Sequence, residues 1–181
     1  MNYEEIKSKI EECGTHALLG PYGWDWGIEQ NPHELAVFLS SIPEIKTVLE
    51  VGTGYKAGLS RFFARVMGYE VTTIDVRSYP TQVRVPEVTY LVNERPFLDA
   101  RFDLIFLDAS KTKEDALADW DFFGDYGRIV AMHDIDGLRG CEGVAEAWEL
   151  LSRTTTGRMR KWFHEVIEES VYSAGIGWYA K

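Results

Sequence analysis

The stretch VLEVGTGYKAGLSRFFARVMGYEVTTIDV, residues 48–76, has the residue order of a strand, a glycine-containing turn, a helix and a second strand. Its first strand, with Thr47 included, is an apolar run typical of a buried parallel strand. Apolar residues then recur at helical spacing within residues 57–67. The second strand ends on Asp75. This order predicts a βαβ unit with a ligand site at its first turn.

The same alternation continues to the end of the chain. Further strands are expected at residues 88–92, 102–108, 127–133, 161–167 and 175–181, with helices at 113–123 and 141–151. Upstream, helices are expected at 3–12 and after Asn31-Pro32, with a glycine-rich loop between them. The pattern predicts an α/β fold, a Rossmann-like doubly wound sheet of about seven mostly parallel strands. The last two strands are too close in sequence for a parallel crossover, so they should form an antiparallel hairpin.

Length and charge limit the kinds of protein to consider. At 181 residues, without a linker or repeat, the chain is expected to form one domain, with helices and a loop over 1–45 and the core sheet over 46–181. A net charge of −10 makes nucleic acid an unexpected partner. No segment resembles a signal peptide or a membrane span, so a cytoplasmic protein without membrane contact is expected. Cys13 and Cys141 are expected to be free thiols.

The glycine turn is the first candidate for a ligand site. Gly52 and Gly54 let the backbone approach a ligand without an intervening side chain. Asp75 lies 23 residues after Gly52, about the separation at which a carboxylate reaches the ribose of an adenosine-containing cofactor. Spacing alone fits NAD or S-adenosylmethionine, because Ala57 is tolerated at the third glycine position of a dinucleotide site. Glu50 favours S-adenosylmethionine, since a carboxylate there suits an ammonium and a sulfonium better than a pyrophosphate.

Two aspartates are expected to meet at the same edge of the sheet. Asp108 ends the fourth strand and Asp134 follows the fifth. Close carboxylates repel unless a cation lies between them or one is protonated, and Mg²⁺ prefers such oxygen ligands. His133 or Asp136 could supply a third ligand. The two aspartates could equally cap the loops that follow them.

Several segments together resemble the class I S-adenosylmethionine-dependent methyltransferases, specifically the cephalosporin hydroxylase-like and catechol O-methyltransferase-like group. The segments are IEQNPHELAVFL, EVGTGYKAG, FDLIFLDASKTKEDALADW, GRIVAMHDI, CEGVAEAW and GIGWYAK. The resemblance covers the chain from about residue 28 onward. It implies methyl transfer to a small hydroxylated molecule. The cofactor residues that follow from the turn and from this resemblance are Glu50, Gly52, Gly54, Asp75, Asn93 and Asp108.

The resemblance also implies metal assistance. Asp108, Asp134 and His133 would hold Mg²⁺. Lys111 matches the position of the general base of the metal-dependent enzymes, where the ion and a dry pocket would lower its pKa. A solvated loop lysine is the alternative. The chain departs from the family at Lys56, where many members have glycine; this side chain would point outward or crowd the methionine end of the cofactor.

Two other functions remain compatible with the sequence. One is a cofactor-binding protein without transfer activity, suggested by Lys56 and by the lack of a substrate cap domain. The other is a nicotinamide-dependent oxidoreductase, against which Glu50 argues. Trp24, Trp26 and Gln30 could form one wall of an acceptor pocket or cover the edge of the sheet. The aromatic residues of the closing strands are consistent with a homodimer face or with packing against a helix; they are Trp162, Phe163, Trp178 and Tyr179.

Overall fold

A computed structural model shows a seven-stranded sheet between two layers of helices. It describes residues 1–13, 27–79, 82–93, 95, 99–137, 140–155, 158–162 and 175–181. Trp24, Trp26 and Phe163 lie outside these residues. Among the residues that the structure describes, no helix has both the length and the apolar composition needed to cross a bilayer.

The order of the strands is β3-β2-β1-β4-β5-β7-β6. The strands are β1 (Thr47–Val51), β2 (Glu70–Asp75), β3 (Val88–Val92), β4 (Phe102–Leu107), β5 (Gly127–His133), β6 (Arg158–Trp162) and β7 (Ile176–Ala180). The first five run parallel, and β7 is antiparallel to β5 and β6. The predicted doubly wound sheet with an antiparallel C-terminal hairpin is therefore confirmed.

The helices cover both faces of this sheet. They are α1 (Tyr3–Cys13), α2 (Pro32–Ser41), α3 (Gly58–Arg61, continued by a π-helical turn over Phe62–Val66), α4 (Lys113–Phe123, followed by a 3₁₀ turn over Gly124–Tyr126) and α5 (Glu142–Thr154). Asn31 caps α2 by accepting from the backbone N–H of His33 at 2.9 Å, and Pro32 occupies the first helical position. Thr112 caps α4 in the same way through the N–H of Asp115. Local capping thus sets where these two helices begin.

The central strand β4 contributes to a core on each face of the sheet. Leu104 and Phe106 pack with α1, α2 and α3, whereas Ile105 and Leu107 pack with α4 and α5. This alternation follows from the two-residue period of a strand, and burial on both faces explains why the whole strand is apolar. In β7, the Trp178 ring contacts Phe38 of α2, with ring centroids 5.4 Å apart, as expected if the closing aromatics pack against helices.

Several elements differ from the sequence expectation in their bounds or their type. For example, α5 ends at Thr154 rather than at residue 151. The helix after the glycine turn was expected to be α-helical to Met67, but it widens into a π-turn in which the N–H of Met67 donates to the carbonyl of Phe62 at 3.1 Å. The penultimate strand begins at Arg158 rather than at residue 161. Its register is set by pairing with β7, and its polar start is typical of an edge strand, so an apolar pattern could not reveal it.

The contact between Gly177 and Trp148 gives a test of this packing. A Cβ at Gly177 would lie 2.4 Å from the Trp148 ring. We expect Gly177→Ala to lower the free energy of unfolding by about 1–3 kcal/mol, because a well-packed core resists an added methyl group. Urea denaturation measures the change. The control is Gly124→Ala, where a Cβ meets no atom within 4 Å; it should change stability by less than about 1 kcal/mol. Equal losses in both variants would contradict the packing.

Candidate functional site

A cavity of about 550 Å³ lies at the carboxyl ends of β1 and β4, where the order of the strands reverses. Ligands bind at this position in open α/β sheets. The cavity is bounded by the glycine turn, the ends of β2, β3 and β4, and the loop before α2. Its lining includes the whole predicted cofactor set: Glu50, Gly52, Gly54, Asp75, Asn93 and Asp108. Residues far apart in sequence are thus brought to one cavity.

The glycine turn passes very close to the end of β4. The N–H of Gly52 donates to the carbonyl of Ile74 at 2.8 Å, and the N–H of Asp108 donates to the carbonyl of Val51 at 2.8 Å. Gly52 has φ +105°, and a Cβ there would lie 2.6 Å from the carbonyl oxygen of Asp108. Glycine is therefore required at this position by both the backbone conformation and the close approach.

Asp75 joins the end of β2 to the glycine turn. One of its carboxylate oxygens accepts from the N–H of Gly54 at 3.0 Å, and the other accepts from the N–H of Arg77 at 3.2 Å. A carboxylate has about four acceptor positions, so these two bonds leave capacity for a ligand hydroxyl. Asp75 therefore holds the turn in place and also faces the cavity.

Glu50 is a buried acid beneath the turn. Its side chain accepts hydrogen bonds from the hydroxyls of Ser60 and Thr73, the latter at 2.8 Å, and only 2% of the residue is exposed. Burial raises the pKa of Glu50 to about 8, although these two hydroxyls act to lower it. At neutral pH, Glu50 is mostly a neutral acid, and a cation in the cavity would favour its ionised form.

Lys56 lies on the cavity side of the turn. Its aliphatic chain packs against Gly27, where a Cβ would lie 1.9 Å from Lys56 Cδ. Its ammonium lies 5.7 Å from the centroid of the Tyr55 ring. Lys56 is among the residues that line the cavity.

Asp108, His133 and Asp134 form a cluster at the ends of β4 and β5. One ligating atom from each residue lies within 4.8 Å of those of the other two. His133 Nδ1 lies 3.1 Å from Asp108 Oδ1 and 3.4 Å from Asp134 Oδ1. The predicted meeting of these three residues is therefore found, whereas Asp136 does not belong to the cluster. Asp108 lines the cavity, and the other two lie beside it, outside the lining.

The carboxylates of this cluster already accept hydrogen bonds from neighbouring side chains. Gln30 Nε2 donates to Asp108 Oδ2 at 2.5 Å. Asp134 Oδ2 accepts from the Lys111 ammonium and from the Cys141 thiol, the latter at 3.2 Å. Asp134 has φ +63°, a left-handed conformation that Asp tolerates better than most residues.

The carboxylates of the cluster determine the charge of its two basic side chains. Burial acts to lower the pKa of Lys111, but the carboxylates of Asp108 and Asp134 raise it above its ordinary value. Lys111 is therefore a paired cation in this arrangement. The lowered pKa expected of a general base applies to a site that holds the metal ion, and it stays a prediction. The same competition between burial and these two carboxylates raises the pKa of His133 to about 9.

Asp119 also lines the cavity, although the sequence analysis did not single it out. Its carboxylate accepts from Ser110 Oγ at 2.5 Å and from an Arg95 guanidinium nitrogen at 3.4 Å, and the residue is 8% exposed. Its spacing on α4 could have indicated that it is buried, because Ala116, Asp119 and Phe123 lie on the same buried face of that helix. An acid on an apolar stripe indicates a polar partner inside the protein.

Comparisons with known proteins bear on this fold. No protein-family model and no curated protein matches the sequence. A methyltransferase from Pyrococcus furiosus is similar in structure, with a TM-score of 0.57, 13% identity and 80% of each chain covered. TrmK of M. capricolum, solved with S-adenosyl-homocysteine, has a TM-score of 0.54 and 10% identity over 81% of this chain and 67% of that chain. A Staphylococcus aureus protein provisionally assigned as a caffeoyl-CoA O-methyltransferase has a TM-score of 0.50 and 15% identity over 76% of each chain. The chain thus has the Rossmann-like fold of class I S-adenosylmethionine-dependent methyltransferases.

The raised pKa of Glu50 predicts a pH-dependent stability. Between its ordinary pKa of 4.5 and about 8, the folded protein keeps a proton that the unfolded chain has lost. This contribution to stability is complete below pH 4.5 and is lost as pH rises through about 8. Relative to Glu50→Gln, which cannot ionise, the wild type should lose up to ~5 kcal/mol of unfolding free energy across this range.

Urea denaturation at a series of pH values measures this difference. Glu70→Gln, at an exposed position of β2, is the matched control and should follow the wild type. Parallel stability curves for the wild type and Glu50→Gln would show that Glu50 does not hold a proton in the folded state.

Proposed function

We propose that this protein is an S-adenosylmethionine-dependent methyltransferase that acts on a hydroxyl group of a small molecule. The observation that carries the proposal is the convergence of Glu50, Asp75 and Asp108 on one cavity at the glycine turn of a methyltransferase fold. The placement of acids along this cavity suits a ligand with hydroxyls at one end and positive charge at the other.

The cofactor would lie along the cavity. Asp75 would accept the ribose hydroxyls, and Asn93 would contact the adenine side. Glu50 and Asp108 would face the ammonium and the sulfonium, whose positive charge would favour the ionised form of the buried Glu50. A dinucleotide would instead place its pyrophosphate near these carboxylates, which is electrostatically unfavourable.

A divalent ion fits the donor set of the cluster. Asp108, Asp134 and His133 would hold it, because two carboxylates and an imidazole converge within 4.8 Å. Carboxylates suit Mg²⁺ and Mn²⁺, and the imidazole extends the range towards transition metals. A bound ion would supply Lewis acidity, which lowers the pKa of an acceptor hydroxyl.

The chain's own residues would carry out the remaining steps. Gln30 donates to Asp108 at 2.5 Å and would keep that carboxylate oriented. Lys111 lines the cavity. Once its ammonium has left Asp134 and lost a proton to solvent, its neutral amine would take the hydroxyl proton. Lys56 and Gln30 would form one wall of the acceptor pocket. The methyl group would then move in line from sulfur to the acceptor oxygen, a reaction that depends mainly on positioning.

A second candidate is a cofactor-binding protein without transfer activity. The ion pair between Lys111 and Asp134 favours it, because this pairing holds the candidate base in its protonated form. Measurement of S-adenosyl-homocysteine formation with a panel of hydroxylated acceptors distinguishes the two functions. Cofactor binding without product on any acceptor would support the second.

Cofactor binding is the first test of the proposal. In calorimetric titration, the wild type should bind S-adenosylmethionine saturably, and Asp75→Ala should weaken binding about tenfold or more, equivalent to about 1.4 kcal/mol. Asp103→Ala is the matched control. Asp103 accepts from the N–H groups of Lys46 and Thr47 and lies outside the lining of this cavity. That variant should lose stability without losing affinity. No binding to the wild type, or tighter binding of NAD, would contradict the proposal.

A further inference from the structure

The cluster of Asp108, His133 and Asp134 already holds a cation that belongs to the chain. The Lys111 ammonium pairs with Asp134 Oδ2, one of the oxygens that a metal ion could use. The Asp134 side chain is only 15% exposed, whereas that of Lys111 is 53% exposed. The ammonium therefore reaches a mostly buried carboxylate from the solvent side.

The geometry leaves little room for both cations on Asp134. Its Oδ2 accepts from Lys111 and from the Cys141 thiol at 3.2 Å, and its Oδ1 faces His133 Nδ1 at 3.4 Å. An ion bound between the two aspartates would need acceptor positions that now serve Lys111. Two cations in contact on one carboxylate also repel each other.

We propose that the Lys111 ammonium and a divalent cation are alternative occupants of this cluster. Lys111 compensates Asp134 in the metal-free protein, and the ion displaces it when it binds. The inference rests on the proposed function only in placing the cluster at the acceptor end of the cavity.

Of the two residues in this ion pair, Lys111 is the one whose side chain can move away. Asp134 directly follows the buried strand β5, and its carbonyl accepts from the N–H of Gly137 at 3.2 Å, which fixes the turn. Lys111 lies between β4 and α4 and carries its charge on a flexible four-carbon chain. Because Lys111 also lines the cavity, displacement would release its ammonium next to the acceptor position, where it can lose a proton to solvent. Binding of the metal ion would then be coupled to the release of Lys111, the candidate base, from Asp134.

The experiment compares Mn²⁺ affinity among variants, by calorimetry and by loss of the free-ion signal in electron paramagnetic resonance. Lys111→Met removes the charge and keeps the aliphatic chain. It should bind Mn²⁺ at least about tenfold more tightly than the wild type, because the competing charge is gone. Lys113→Met is the matched control, since Lys113 pairs with the exposed Glu146 at 3.3 Å, outside the cluster. It should bind Mn²⁺ as the wild type does.

Thermal unfolding gives a second readout. A chelator should lower the midpoint of the wild type less than that of Lys111→Met, because Lys111 compensates the cluster and the wild type binds the ion more weakly. Metal-free Lys111→Met should unfold at a lower temperature, and Mn²⁺ should restore it. Lys111→Gln provides a second neutral variant if the methionine variant does not fold.

Equal or weaker Mn²⁺ affinity in both neutral variants would overturn the proposal. So would a lack of Mn²⁺ binding in every variant. Titration of the same samples with S-adenosylmethionine separates the two claims. If the samples bind S-adenosylmethionine but the neutral variants do not bind Mn²⁺ more tightly, the methyltransferase proposal stands. The proposed competition between Lys111 and the ion at Asp134 is then rejected.

Discussion

The close passage of Gly52 across the end of β4 is the constraint on which the site depends. A side chain at this position would meet the carbonyl of Asp108 at 2.6 Å, so the turn and the strand end approach each other only with glycine. The hydrogen bonds of the Gly52 and Asp108 N–H groups to the neighbouring strands hold this arrangement. As a consequence, Asp75, Asp108 and the turn share one edge of the sheet, and the cavity lies between them.

Each acid at this edge is compensated in a different way, and the difference suggests a division of roles. Asp75 accepts backbone N–H groups and remains open to a ligand. Glu50 is buried and accepts hydrogen bonds from two hydroxyls, and its raised pKa keeps it mostly neutral at pH 7. A cation bound nearby would lower this pKa and favour the ionised carboxylate. Asp134 is paired with an ammonium from the chain. Under the proposed function, these three acids would serve as an acceptor for ligand hydroxyls, an acid whose ionisation responds to a nearby cation, and a ligand of a metal ion.

The sequence predicted the parts of the fold that local patterns control. The bounds of β2, β3, α4 and β5 follow from apolar runs and from caps such as Thr112, and the meeting of Asp108 with Asp134 follows from the adjacency of parallel strands. The start of β6 could not be predicted because its register comes from pairing with β7. The hydrogen bond from Gln30 to Asp108 joins residues 78 positions apart in sequence, so it could not be predicted from a local pattern. The pairing of Lys111 with Asp134 could not be predicted either, because it depends on which carboxylate the side chain reaches in the folded chain.

The central claim is that the cavity at the glycine turn holds S-adenosylmethionine. A crystal structure grown with S-adenosyl-homocysteine tests it most directly. The account predicts electron density in this cavity, with the ribose hydroxyls on the Asp75 carboxylate and the amino acid end directed towards Glu50 and Asp108. An empty cavity at saturating ligand, or the ligand bound on another surface, would contradict it.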